Sequence, residues 1–132
     1  MNKLILSIDP GREKTGLAIL TDAKEILMHK IVESSSLILT IEQLLQEYDI
    51  AKIVMGNGTS SKEKAKQIKS YFQKQEFFLI NEYRTTDEAR KLYFKKNPPK
   101  GLKRLIPIGM QVPPVPIDDY AAIVIGLKFL ND

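Results

Sequence analysis

Apolar positions along the chain change period partway, and that change outlines the elements. Leu4-Ile5-Leu6-Ser7-Ile8-Asp9 is a short, partly β-branched run ended by Pro10-Gly11, which predicts a strand and a turn. Gly16 to Leu20 and Glu25 to Val32 read as two more strands with short connections, so the three form a meander. Beyond them the spacing becomes helical. Leu37, Ile41, Leu44, Leu45 and Tyr48 share one stripe, with Ser34–Ser36 available as an N-cap. Lys52 to Gly56 reads as a buried strand, and Ser60-x-x-Glu63 as a capping box opening a helix with Ala65, Ile68 and Phe72 on its apolar side. Phe77 to Ile80 is a fifth strand, and Thr85-x-x-Glu88 opens a helix to about Lys96, stopped by Pro98-Pro99. Asp118 or Asp119 caps a last apolar helix to about Leu130.

The order is β-β-β-α-β-α-β-α-loop-α. It predicts an α/β fold: a mixed five-stranded sheet, three antiparallel meander strands plus two parallel ones, with helices on both faces. A length of 132 residues suits one domain, 1–132, without internal repeat or linker. Residues 97–116 hold six of the seven prolines and predict a loop rather than a helix.

Composition narrows the chemistry. With no cysteine, a disulfide scaffold, a thiolate zinc site, an iron–sulfur cluster and thiol catalysis are excluded. One histidine, His29, excludes multi-histidine metal sites and leaves little room for a Ser-His-Asp triad; remote in sequence from the acids below, it reads as structural or exposed. The N-terminus lacks signal-peptide character and no apolar stretch approaches a membrane span, so the expectation is a cytoplasmic protein with no membrane partner, a monomer or weak homodimer.

A net charge of +4 is modest, but its placement is uneven. Residues 90–104 carry seven basic side chains and no acidic one, with Tyr93 and Phe94 among them. That mixture points to a nucleic-acid partner. Lys62, Lys64, Lys66, Lys69 and Lys74 form a second set, better read as the solvated face of a helix.

Three acids stand at positions where α/β sheets gather ligands. Asp9 ends the first strand, Glu82 follows the fifth, and Asp118-Asp119 begins the last helix. Each alone has an ordinary explanation, as a turn, a surface strand end or a helix cap. Together, two carboxylates ~4 Å apart repel by about 4 kcal/mol at an effective dielectric of 20, which calls for basic neighbours or a divalent cation. Carboxylate oxygens suit Mg²⁺ or Mn²⁺. The segment Asp9 to Gly16 is not a Walker loop, since Leu17-Ala18 follows where Lys-Ser/Thr is needed.

These residues also resemble a known family. Ile8-Asp9-Pro10-Gly11-Arg12-Glu13-Lys14-Thr15-Gly16-Leu17-Ala18 is similar to the opening motif of the RuvC/YqgF group of RNase H-like nucleases. Asn81-Glu82-Tyr83-Arg84-Thr85-Thr86-Asp87-Glu88-Ala89 resembles its Asp-Glu-Arg-x-Ser/Thr-Thr-x-Glu-Ala segment, and Ile117-Asp118-Asp119-Tyr120-Ala121-Ala122 its Asp-x-x-Ala-Ala helix start. The chain departs from the group at Gly56-Asn57-Gly58, where Gly-Leu-Pro is usual, and at Asn81 and Arg84. The resemblance implies an RNase H-like fold, a metal-dependent nuclease acting on a ribosomal RNA precursor or branched DNA, and Asp9, Glu82 and Asp118 as metal-binding catalytic acids; Asp119 has no fixed counterpart in the family and is a candidate neighbouring ligand. Lys14, Thr15, Arg84, Lys100, Lys103 and Arg104 are the candidates for holding phosphates. Two alternatives stay open: a non-catalytic nucleic-acid-binding module with the same surface, and an actin-like nucleotide-binding lobe, which would need a partner lobe of similar size.

Overall fold

In the computed structural model, the described residues are 3–58, 61–81, 85–99, 101, 105 and 113–131. Three antiparallel strands, β1 (Leu4–Asp9), β2 (Lys14–Thr21) and β3 (Ile26–Glu33), lead through a 3-10 turn at Ser34–Ser36 into α1 (Leu37–Glu47). Then follow β4 (Ile50–Gly56), α2 (Ser61–Tyr71), β5 (Glu76–Ile80), α3 (Thr85–Lys96) and α4 (Asp118–Asn131). The sheet order is β3-β2-β1-β4-β5, with β1, β4 and β5 parallel and β2 and β3 antiparallel to their neighbours. The architecture read from the sequence, mixed sheet and flanking helices, is the observed one.

Strand alternation divides the core in two. Leu6, Ile8, Leu17, Ile19, Ile53 and Met55 pack with α1 and α2 through Leu37, Ile41, Leu44, Ala65 and Ile68. Ile5, Ala18, Leu20 and Val54 on the opposite face meet Ala122, Ile123 and Ile125 of α4. A buried hydrogen bond from Ser7 Oγ to the Ala122 carbonyl (2.5 Å) ties β1 to α4, satisfying a hydroxyl that would otherwise cost about 1–3 kcal/mol to bury. The third packing layer is α3, which rests on α4 through Ala89, Leu92, Ala121 and Val124. Among the described residues, no helix is long and apolar enough to cross a membrane.

Two local readings change. The serine cluster before α1 makes no side-chain cap: Ser36 holds the N-cap position without such a bond, and Ser34 Oγ instead donates to the Gly11 carbonyl (2.7 Å). Tyr93 and Phe94, which the sequence interleaves with the basic groups read as facing a nucleic acid, are buried; Tyr93 packs edge-on against Phe94 and against Tyr120 of α4. The amphipathic period of α3 turns both rings inward while Lys91, Lys95 and Lys96 remain exposed.

Candidate active site

The parallel strands β1, β4 and β5 all end at one edge of the sheet, where β2 begins and β3 ends. Asp9 is the last residue of β1 and follows Ile5 and Ser7 on the face covered by α4. Its partner across the β1–β2 ladder is Gly16. Directly on Gly16 lies the start of α4: a Cβ built there would stand 1.8 Å from the Asp118 carbonyl oxygen and 2.7 Å from the Asp119 nitrogen. Cα atoms paired across an antiparallel ladder are about 4.5–5.5 Å apart. Gly16 therefore brings Asp9 and Asp118, 109 positions apart in the chain, to one point on the sheet edge.

Burial and a neighbouring acid both act on the carboxyl at that point. Burial raises the Asp118 carboxyl above the ordinary carboxylate range, the neighbouring Asp119 raises it further, and Lys14 and a backbone hydrogen bond pull it back. Lys14 is exposed at the first position of β2.

Asp119 is held by two partners. Its Oδ2 lies 2.7 Å from His29 Nδ1 on β3, and its Oδ1 accepts from the Tyr120 backbone N–H at 3.0 Å. His29, remote from the acids in sequence, is thus their neighbour in space, and its ring also lies 5.2 Å from that of Tyr120. The β2–β3 register accounts for this: His29 pairs with Ala18 and so shares the face under α4.

Thr15 does not meet the expectation of a phosphate contact. It is fully buried on the α1–α2 face, with its hydroxyl 2.8 Å from Ser34 Oγ. The alternation that exposes Lys14 turns Thr15 inward. Glu82, Arg84, Lys100, Lys103 and Arg104 lie outside the described residues. β5, which leads to Glu82, is the edge strand rather than a central one, with β4 between it and β1; two strand spacings put it about 10 Å from β1.

Lys64 is the site residue that sequence reading passed over. From the start of α2, on the far face of the sheet, its ammonium donates to the Gly11 carbonyl in the turn after Asp9. Burial lowers its pKa and the negative charge of Asp9 opposes that shift. Periodicity placed it among solvated lysines, and no signal in the sequence distinguishes it from Lys62 or Lys66, which are exposed.

No protein-family model and no curated protein matches the chain. Solved structures do. RuvC of Thermus thermophilus in complex with a Holliday junction substrate superposes with a TM-score of 0.62 at 13% identity, over 96% of this chain and 91% of that one. The fold is RNase H-like. A second Thermus thermophilus RuvC structure superposes at TM-score 0.56 and 12% identity, over 95% of this chain and 92% of that one. The RNase H-like core is also similar to part of a putative sugar kinase from Cytophaga hutchinsonii, at TM-score 0.50 and 15% identity, over 66% of this chain but 38% of the kinase.

Among the described residues, no group of three or more His, Cys, Asp or Glu side chains is gathered closely enough to hold a metal ion. The donors at the edge are carboxylates, the kind of oxygen a hard divalent cation takes, and Asp118, raised first by burial and then by Asp119, is a carboxyl whose charged form such a cation would favour. A complete set needs a third acid, and Glu82 is the candidate.

Proposed function

We propose that this protein is a divalent-metal-dependent endonuclease, hydrolysing the phosphodiester bonds of structured nucleic acid, a ribosomal RNA precursor or branched DNA, with Asp9, Glu82 and Asp118 as its metal-binding catalytic acids. The observation that carries the reading is the seating of Asp118 on Gly16, beside Asp9, at the carboxyl edge of the sheet. The likeness in fold to a RuvC bound to a Holliday junction supports it.

Asp9, Glu82 and Asp118 would hold Mg²⁺ or Mn²⁺, which when bound supplies Lewis acidity and a water ionised near neutral pH. The chain's own residues do the rest. Lys14, exposed beside Asp118, holds a phosphate by charge without reading sequence. Arg84, Lys100, Lys103 and Arg104 extend that contact along the backbone of the substrate. His29 holds Asp119 to β3, which keeps the first turn of α4, and Asp118 with it, in place on the sheet. The protein acts as a monomer or weak homodimer.

The test is cleavage of labelled branched DNAs and stem-loop RNAs with and without Mn²⁺, using wild type and Asp9→Asn. Wild type should cut only with metal, and Asp9→Asn should lose ~100-fold or more while unfolding at a temperature within about 3 °C of wild type. Wild-type turnover in Asp9→Asn refutes the assignment. Metal-independent binding without cleavage by the wild type favours the non-catalytic module.

A further inference from the structure

The lysines of α2 are arranged against the stability of the helix that carries them. Ser61, Ala65 and Ile68 are its buried residues, at intervals of four and three. Lys62, Lys66 and Lys69 repeat those intervals one position later and form an exposed stripe of their own, about 10 Å long along the axis. Lys69 shows on which flank the stripe lies: its ammonium stands 5.4 Å from the centre of the Phe77 ring on β5, the edge strand of the sheet. Lys64, outside the stripe, donates to the Gly11 carbonyl in the turn after Asp9, so α2 and the stripe both begin at the edge where β1 and β4 end. A helix face that serves stability intersperses acids with its lysines. Here Lys62 and Lys66 are like charges four positions apart and Lys66 and Lys69 three apart, spacings at which side chains meet and repel. Lys62 also stands in the first turn, where the helix dipole disfavours a cation. Glu63 precedes Lys66 by three positions, yet among the described residues no carboxylate makes an ion pair with any of the three lysines. Their exposed neighbours on the helix are Gln67 and Ser70, not apolar side chains. A cationic flank without apolar side chains fits a polyanion rather than a bilayer, into which a helix must sink an apolar face.

We propose that Lys62, Lys66 and Lys69 are a second nucleic-acid contact, a track for the phosphate backbone of a double-stranded arm that runs from the carboxyl edge of the sheet along α2, a role that rests on the nucleic-acid reading above. Each strand of a duplex carries one phosphate charge per ~3.4 Å of axis, so a stripe of about 10 Å faces about three phosphates, one for each lysine. Such contacts fix the position of the arm without reading its sequence. The track lies on the α1–α2 side of the sheet. On the other side α3, with Lys91, Lys95 and Lys96 exposed, rests on α4. Basic surfaces thus flank the sheet edge on both sides, and a branched substrate offers an arm to each.

Fluorescence anisotropy of a labelled four-way DNA junction, titrated in metal-free buffer from about 50 to about 300 mM salt, tests this without reference to cleavage. The variant Lys62→Gln/Lys66→Gln/Lys69→Gln should bind the junction about tenfold more weakly than wild type at the low end of that range. Its salt slope should be smaller by up to about 2.7, ~0.9 per lysine, so the deficit shrinks as salt rises. Lys66→Gln alone should lower the slope by ~0.9, and Lys62→Arg/Lys66→Arg/Lys69→Arg should bind within about twofold of wild type. A single-stranded oligonucleotide of the same length should lose less than about twofold in the triple Gln variant, because it has no duplex arm to lay along α2. Unchanged junction affinity and slope in that variant overturn the track and leave the lysines merely solvated. An equal loss for the single strand reduces the stripe to general attraction and also overturns it. Aggregation of the triple Gln variant, with a wild-type slope in Lys66→Gln, overturns it in favour of shielding the open edge of β5. Junction binding by a wild type that does not cleave, with the slope lost in the variant, refutes the nuclease reading and leaves the track standing. A wild type that does not bind the junction refutes both.

Discussion

Asp118 combines three roles at one residue: it begins a helix, rests its backbone on the sheet and offers a carboxylate to the proposed site. The last role opposes folding. Its carboxyl is raised in the folded protein, first by burial and then by Asp119, so the native state binds its proton more tightly than the unfolded chain does. Stability from this group is therefore present at low pH and lost as pH rises from the ordinary carboxylate range through the raised value. In metal-free buffer Asp118→Asn should melt above wild type at pH 7, by roughly 1–3 °C for a charge so largely solvated. The advantage should vanish about a unit below the ordinary aspartate pKa of 3.8, toward pH 3, where Asp118 is protonated in both states. Thermal scans from pH 3 to pH 8 check the slope; a gain that persists unchanged at pH 3 would assign it to something other than the charge. Such residue-level facts were only partly legible. Asp9 and Asp118 could be singled out from their places beside a turn and a helix start. The pairing of Asp119 with His29 could not, because it joins residues 90 apart in the chain through the β2–β3 register and the seating of α4.

At the scale of elements, the close approach of α4 to β2 decides the geometry of the site. The helix can lie this low because Gly16 has no side chain beneath the Asp118 peptide, and because Ser7 hydrogen-bonds the Ala122 carbonyl one turn further along. All three atoms that a Cβ at Gly16 would strike belong to backbone, so no rotamer change relieves the clash. Gly16→Ala should cost about 3 kcal/mol or more in urea unfolding, and in any folded fraction should weaken Mn²⁺ binding by moving Asp118. A loss below about 1 kcal/mol would mean that α4 does not rest there. Gly16 is conspicuous in the sequence only as part of a motif. Within a strand pattern a glycine signals a bulge or a close backbone approach, but the partner that approaches is 102 residues away.

At the scale of the molecule, positive charge is distributed over both sides of the sheet. Lys14 begins β2 at the sheet edge and Lys64 reaches the Gly11 carbonyl there, α3 presents Lys91, Lys95 and Lys96 outward, and the proline-rich segment 97–116 joins α3 to the start of α4. That connection makes its basic residues candidates for the substrate backbone. Changing Lys100, Lys103 and Arg104 together to Ala should weaken binding about equally for unrelated sequences. It should lower the salt-dependence slope by up to about three contacts, at ~0.7–0.9 per contact, without altering Mn²⁺ affinity. An unchanged slope would make these charges merely solvated.

The sequence by itself determined the elements and which side of each is apolar, because both are written in spacings of two to four residues. From that it determined the α/β class and the presence of a mixed sheet. Which chemistry-bearing side chains meet is a matter of the folded chain. Folding took α4 across the sheet onto Gly16, turned Thr15 into the core beside an exposed Lys14, buried Tyr93 and Phe94 against α4 and one another, and sent Lys64 from the opposite face to the turn after Asp9. Each of these depends on strand order, register and helix seating. Those are set by packing among segments tens of residues apart, and no local period records them.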